Sequence, residues 1–270
     1  MEPRVALSIA GSDSGGCAGI QADLRTFAAM GLHGATAITA VTAQNTLGVA
    51  KVEVLSPSVV VAQVDAVVAD LPPAATKTGM LANVEIVEAV AERAARGGLG
   101  PLVVDPVIVA TSGDQLLEPS AIAAYRAELL PLAAIVTPNL PEAAALLGWT
   151  SQQVEGEGAA SAASALLEAG CPAVLLKGGH GADPERSADL LATPSGLRWL
   201  EAPRIATRND HGTGCTLSAA IAAQLALGQE LENAVEVAKA FIHRALLGAA
   251  SWQLGAGHGP VDHLGWGAQA

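Results

Sequence analysis

The stretch Asn209-Asp210-His211-Gly212-Thr213-Gly214-Cys215-Thr216 holds residue types suited to a phosphoryl group: two glycines, hydroxyls and a thiol, leading straight into the apolar helical run Leu217 to Ala223. Gly212 and Gly214 permit backbone turns that a side chain would hinder, so successive amide N–H groups can face one point at the positive end of a helix. Cys215 falls in the first turn of that helix, where a thiolate is favoured and can serve as a base near neutral pH. Gly212, Thr213, Gly214 and Cys215 are therefore the candidate catalytic residues.

Other chemistry-bearing residues follow short apolar runs. Gln44 ends one of them, and its side-chain amide donates and accepts at once, as an aminopyrimidine edge requires. Asp105 stands at another run's end. Asn139 and Glu142 are three residues apart at a helix start, a spacing that suits an N-cap with a capping box and also lets both face a metal-phosphate cluster. Mg²⁺ needs few carboxylates beside water and substrate phosphates, so Asp105 and Glu142 are a sufficient candidate metal set, Glu142 either as a direct ligand or as a support behind one. Lys177-Gly178-Gly179-His180 offers a cation for phosphate beside accessible backbone, and Lys239 is a weaker candidate.

The loop Gly11 to Gly19 lacks a GK[ST] ending, and G-x-G-x-x-G does not match it in register. It reads as a place where a ligand approaches the backbone, with Asp23 one helical turn further on. The six histidines show neither HExxH nor cysteine partners, so supporting roles are expected of them.

Positioning these residues takes alternating strands and helices. Strands are expected at Arg4 to Ala10, Ala35 to Thr42, Ala74 to Thr78, Leu102 to Val104, Ala134 to Thr137 and Ala173 to Leu176. Helical patterns lie at Gly19 to Met30, Ser58 to Asp70, Asn83 to Arg96, Ser120 to Leu130, Glu142 to Leu147 and Gly158 to Ala169, then Thr213 to Leu227 and Glu230 to Ala250. Ala188 to Ala192 and Leu197 to Glu201 flank a turn and read as an edge hairpin. The result is an α/β fold, a doubly wound, mostly parallel sheet flanked by helices, with ligand-binding loops at the strands' C-terminal ends. A single domain over residues 1–270 is expected, with flexible pieces at Val154 to Gly158 and after Gly255, residues 265–270 forming a tail.

Composition narrows the partners. Fourteen Lys and Arg against 26 Asp and Glu leave a formal charge of −12, which disfavours nucleic acid and anionic membranes. Three cysteines without CxxC spacing argue against a disulfide framework and suit a reducing cytoplasm. The short apolar run after Met1-Glu2-Pro3-Arg4 stops at Gly11, too early for a signal peptide, and no span reaches the roughly 18 apolar residues of a membrane helix.

In order along the chain, GSDSGGCAGIQADL (Gly11 to Leu24), VTAQNTLGV (Val41 to Val49), KTGML (Lys77 to Leu81), DPVIVATSGDQLL (Asp105 to Leu117), TPNLPEAAALLG (Thr137 to Gly148), LKGGH (Leu176 to His180) and HGTGCTLSAAIAA (His211 to Ala223) closely resemble the hydroxymethylpyrimidine/phosphomethylpyrimidine kinases. The resemblance runs to the closing Gly257-His258-Gly259-Pro260. It implies a ribokinase-like fold and two Mg-ATP-dependent phosphorylations of 4-amino-5-hydroxymethyl-2-methylpyrimidine in thiamine biosynthesis, in a cytoplasmic protein that is often a homodimer. By resemblance Gln44 grips the pyrimidine, Gly11, Asp23 and Met80 line its pocket, Gly212 to Gly214 form the anion hole, and Asn139 and Lys177 meet the ATP phosphates. Cys215 stands where the wider superfamily has aspartate, in a branch shared with some bacterial pyridoxal kinases. Cys17 replaces a usual glycine and Asp210 a frequent threonine. The rival expectations are a pyridoxal or dual-specificity kinase, and a non-catalytic pyrimidine-binding protein.

Overall fold

Alternation along short buried strands decides which helices lie on which side of the sheet. In β1 (Val5–Asp13), Leu7 and Ile9 face one layer while Ala6 faces the other. In β5 (Leu102–Val104), Leu102 and Val104 join the first layer and Val103 the second; β7 (Val174–Leu176) repeats the pattern with Leu175 as its single opposite residue. This period of two buries both faces, as a mostly parallel sheet requires. A computed structural model describes residues 2–109, 116–178 and 183–269 of the chain.

Among the described residues the sheet has nine strands in the order β3-β2-β1-β4-β5-β6-β7-β8-β9, adding β2 (His33–Asn45), β3 (Gly48–Val54), β4 (Ala75–Thr78), β6 (Ile135–Val136), β8 (Arg186–Thr193) and β9 (Gly196–Pro203). Pairing is parallel from β2 through β7, and antiparallel for β3 at one edge and for β8 and β9 at the other. The strand order reverses beside β1, so the crevice for a ligand opens at the C-terminal ends of β1 and β4.

One face is covered by α2 (Pro57–Asp70), α3 (Val84–Ala95), α4 (Ala121–Ala124), α5 (Leu140–Leu147) and α7 (Gly158–Glu168), with the short α6 (Ser151–Val154) between the last two. The other face takes α1 (Gly19–Ala29), α8 (Thr213–Ala226) and α9 (Leu231–Ala249). Every residue of α8 from Thr216 to Gln224 is buried. Its repeated alanines allow the backbone to come close to the sheet and to both neighbouring helices.

The expected edge hairpin forms and is longer than its apolar pattern. Strand β3 was not expected; its Val, Lys and Glu alternate on a mostly solvated edge, too weak an apolar signal. The helix expected over Ser120 to Leu130 is instead α4 followed by a wide π-type turn at Tyr125–Leu129 and a tight turn at Leu130–Leu132, where Pro131 cannot continue a helical ladder.

The segment after Gly255, expected to be loose, is held. The Asp262 carboxylate accepts from the backbone N–H groups of Leu264, Gly265, Trp266 and Gly267, and the rings of Trp252 and Trp266 lie 6.3 Å apart. His263 Nε2 lies 2.9 Å from Thr216 Oγ1 on α8. Burial and the nearby Arg25 charge push the His263 imidazole down to about 4. Its neutral form is favoured in the fold, so this contribution is complete above the ordinary imidazole range near 6.5 and is lost as pH falls toward 4. The unfolding free energy from urea titrations should fall over that window by on the order of 3 kcal/mol at most, and His263→Gln should flatten that part of the curve. An unchanged acid limb in the variant would assign it elsewhere.

Candidate active site

The loop entering α8 is shaped by backbone packing. Gly212 has φ +83°, and a Cβ there would sit 1.9 Å from the Cys17 carbonyl oxygen, so only glycine fits. No side chain caps this helix start. Asn209 Nδ2 donates to the Ala249 and Trp252 carbonyls, at 2.7 and 2.9 Å, and the His211 N–H donates to Gly259 O at 3.0 Å. The closing segment thus fixes the loop from behind while its front faces a cavity of about 600 Å³.

That cavity brings together Gly11, Gln44, Met80, Asp105, Asn139, Glu142, Lys177, Gly212, Thr213, Gly214 and Cys215, residues scattered over more than 200 positions. Asp23 is absent from its lining. The Asp23 carboxylate is fully buried, accepts from Ser8 Oγ at 2.6 Å and pairs with Lys77 Nζ at 2.9 Å. It reaches the cavity only through Lys77, which does line it. Burial pushes Asp23 up, against the pull of Lys77. Burial pushes the Lys77 ammonium down, yet Asp23, Cys215 and Asp105 outweigh that and leave it raised. Lys77 is the residue that sequence reasoning missed; the available signal was a lone lysine inside an otherwise buried four-residue strand.

A second cation sits at the helix start. Lys177 Nζ is 2.7 Å from Asp105 Oδ1 and 3.8 Å from Glu142 Oε2, and a Cβ added to Gly214 would lie 3.2 Å from it. Burial opposes its charge, but the two carboxylates hold the ammonium up. Asn139 and Glu142 form a reciprocal cap, with Glu142 N donating to Asn139 Oδ1 at 2.8 Å and Asn139 N to Glu142 Oε2 at 2.7 Å. Burial raises Glu142 to about 7, with Lys177 opposing and Asp105 adding to the rise. Two carboxylates against one ammonium leave this corner short of positive charge. A divalent cation shared with phosphates fits that donor set, although the described residues hold no group of three or more His, Cys, Asp or Glu that would bind a metal alone.

Three amides of the Gly11 to Gly19 loop are turned inward rather than offered to a phosphate. The Asp13 carboxylate takes the N–H groups of Gly15, Cys17 and Ala18 at 2.8, 2.9 and 2.8 Å. Asp210 is matched by His258 Nδ1 at 2.6 Å, so the acidic residue beside the anion loop carries its own partner from the closing segment. Lys239 lines the far end of the cavity and is committed to Asp189 at 2.6 Å. Residues 110–115 and 179–182, which include His180 and part of the DPVIVATSGDQLL motif, lie outside the described residues.

Cys215 does not have the lowered pKa that its place at a helix start suggests. Burial pushes the thiol up to about 11; Lys77 opposes this, while Asp105 and Asp23 add to it. The helix terminus is outweighed by desolvation and two carboxylates, and the resting side chain is a neutral thiol.

Comparison with known proteins is consistent with this geometry. The family model for phosphomethylpyrimidine kinase matches residues 13–262. The hydroxymethylpyrimidine/phosphomethylpyrimidine kinase of Rhizobium meliloti (strain 1021) is 55% identical over 260 residues, covering 96% of this chain and 97% of that protein. The protein of the same description from Escherichia coli (strain K12) is 50% identical over 259 residues, 96% and 97% of the two chains. Among solved structures, pyridoxal kinase from Staphylococcus aureus in complex with AMP-PCP and pyridoxal superposes with a TM-score of 0.88 at 34% identity, covering 98% of this chain and 95% of that one. Phosphomethylpyrimidine kinase from Clostridium difficile 630 gives 0.78 at 40% identity, over 90% and 99%. The fold these chains share is ribokinase-like.

Proposed function

This chain belongs to the phosphomethylpyrimidine kinase family and is an ATP-dependent phosphotransferase of thiamine biosynthesis that phosphorylates hydroxymethylpyrimidine and then its monophosphate; from that premise we propose that both transfers occur in the cavity at the strand ends. The convergence of Gln44, Cys215, Lys177 and the uncapped start of α8 on one cavity carries this reading.

Gln44 grips the pyrimidine, whose ring lies against Gly11 and Met80. Asp23 contributes by holding Lys77. The N–H groups of Gly212, Thr213 and Gly214 receive the transferring phosphoryl group, and Lys177 with Asn139 meets the nucleotide phosphates. Asp105 and Glu142 would hold Mg²⁺, which would supply beside the phosphates the positive charge this corner lacks. In the first transfer the hydroxymethyl oxygen attacks the γ-phosphorus of ATP, its proton passes to the thiolate form of Cys215, whose own proton has first been lost to solvent, and ADP leaves. Lys77 is the chain's own charge favouring the thiolate form. The acceptor in the second transfer is a phosphate monoester, largely ionised at pH 7, and needs little help from a base. Three free cysteines suit a cytoplasmic protein, and the exposed Val41, Leu47 and Val54 at the β2–β3 edge support a homodimer. No helix among the described residues is long and apolar enough to cross a membrane.

The decisive experiment is product analysis with the pyrimidine alcohol, ATP and Mg²⁺, with and without EDTA. Mono- and diphosphate should both form and EDTA should abolish them; ligand binding without ATP consumption would sink the catalytic reading. Pyridoxal run in parallel tests dual specificity, the second reading favoured by the superposition on pyridoxal kinase. Gln44→Leu should raise the pyrimidine KM by roughly tenfold or more while sparing the ATP KM, the scale of losing paired hydrogen bonds. Unchanged pyrimidine affinity by calorimetry would refute the role of Gln44.

A further inference from the structure

We propose that His211 is a positioning residue that holds the Gln44 amide in the single orientation that reads an aminopyrimidine edge, an inference that rests on Gln44 being the pyrimidine contact.

Gln44 Nε2 lies 3.0 Å from His211 Nε2, and Gln44 Oε1 lies 3.1 Å from Thr42 Oγ1. A primary amide has two N–H donors and two acceptor lone pairs. The protein uses one donor on the imidazole and one lone pair on the Thr42 hydroxyl, whose single proton is shared with the Ser12 carbonyl at 2.8 Å. One N–H and one lone pair remain, side by side, which is the complement of an exocyclic amine next to a ring nitrogen. Turned about its bond, the same amide would offer them in the opposite order. Pyridoxal carries oxygen functions in place of that amine, so an amide locked in one sense separates the two alcohols.

The lock requires a neutral ring accepting at Nε2. His211 is 6% exposed, and its Nδ1 is enclosed without a hydrogen-bond partner among the described residues. Among the described residues the ring's one hydrogen bond is the contact with Gln44. A buried polar atom without a partner is costly, so this arrangement favours orienting the amide over satisfying the ring itself. The backbone secures the ring's place, because the His211 N–H is tied to Gly259 O at 3.0 Å and His211 pairs with Pro260 in a short bridge. Besides its own burial, three titratable groups bear on the ring: Asp13 of β1 at 3.7 Å from Nε2, Asp210 of its own loop and His258 of the closing segment. Burial pushes the imidazole down, the two aspartates pull it up and His258 pushes it down further; the net direction is down. The ring is therefore neutral at pH 7. Once protonated, Nε2 can only donate, and the amide must turn its carbonyl oxygen toward it.

Steady-state kinetics on the full chain, with the pyrimidine alcohol or pyridoxal as acceptor, test this using His211→Leu, His211→Gln and Gln44→Leu. His211→Leu should raise the pyrimidine KM roughly tenfold, more than it lowers kcat, leave the ATP KM unchanged and narrow the preference over pyridoxal. His211→Gln keeps an acceptor within reach of the same point and should restore the pyrimidine KM. In the unsubstituted chain that KM should climb as pH falls below the ordinary imidazole range, and the climb should vanish in His211→Gln. If His211→Leu does not fold, the acid limb and the glutamine variant still decide. An unchanged pyrimidine KM in His211→Leu would overturn the proposal, as would equal losses in both variants with the ATP KM rising alongside. If Gln44→Leu raises the pyrimidine KM and His211→Leu does not, the positioning role alone fails; if Gln44→Leu has no effect, the pyrimidine contact itself is wrong.

Discussion

Gly212→Ala should lower kcat/KM for the pyrimidine alcohol by about 10³-fold, more than removal of a single oxyanion donor does. The added methyl would lie 1.9 Å from the Cys17 carbonyl oxygen and 2.9 Å from its carbon, both backbone atoms. No rotamer relieves that contact, and φ of +83° is itself unfavourable for alanine. The loop must retreat from the Gly-rich turn at Cys17-Ala18, carrying the N–H groups of Thr213 and Gly214 away from the phosphoryl position together. A thermal melt separates lost catalysis from lost folding, because α8 beyond its first turn is packed on all sides and should survive. Activity within tenfold of the unsubstituted chain would mean that the anion hole lies elsewhere.

Cys215→Ala should slow the first phosphorylation by about 10²-fold or more, the usual scale for a general base, and the second markedly less. The asymmetry follows from the acceptors, since an alcohol must lose a proton and an ionised phosphate need not. The raised thiol pKa sharpens this expectation. Base catalysis by Cys215 has to overcome burial and the charges of Asp105 and Asp23 with the help of Lys77, so the first transfer should be the more pH-dependent one. Single-turnover rates for each step, measured from pH 6 to 9, check it. Equal loss in both transfers would assign Cys215 to the shape of the pocket.

Much of this arrangement can be read from residue patterns. Short apolar runs located the six parallel strands, and strand-end loops then collected Gln44, Asp105, Asn139 and Lys177 without reference to distance. Asn139 and Glu142 were legible because a capping box is a local, fixed-spacing object. Asp23 was misplaced because its partner, Lys77, lies 54 positions away, and buried ion pairing leaves no mark in spacing. The thiolate expectation for Cys215 failed for a related reason: a helix terminus is visible in sequence, whereas the desolvation and the two opposing carboxylates arise only from packing. Strand β3 escaped notice because an edge strand buries little and so needs no apolar signature.

The tether between His211 and Gly259 also keeps the sheet and the phosphoryl site separable. All nine strands are complete by residue 203, and α8 and α9 end by residue 249, but the backbone that braces the anion loop is supplied by residues 257–263. A chain lacking residues 257–263 would therefore keep the strands of the sheet and the lysines of the cavity while losing the backbone that braces the anion loop.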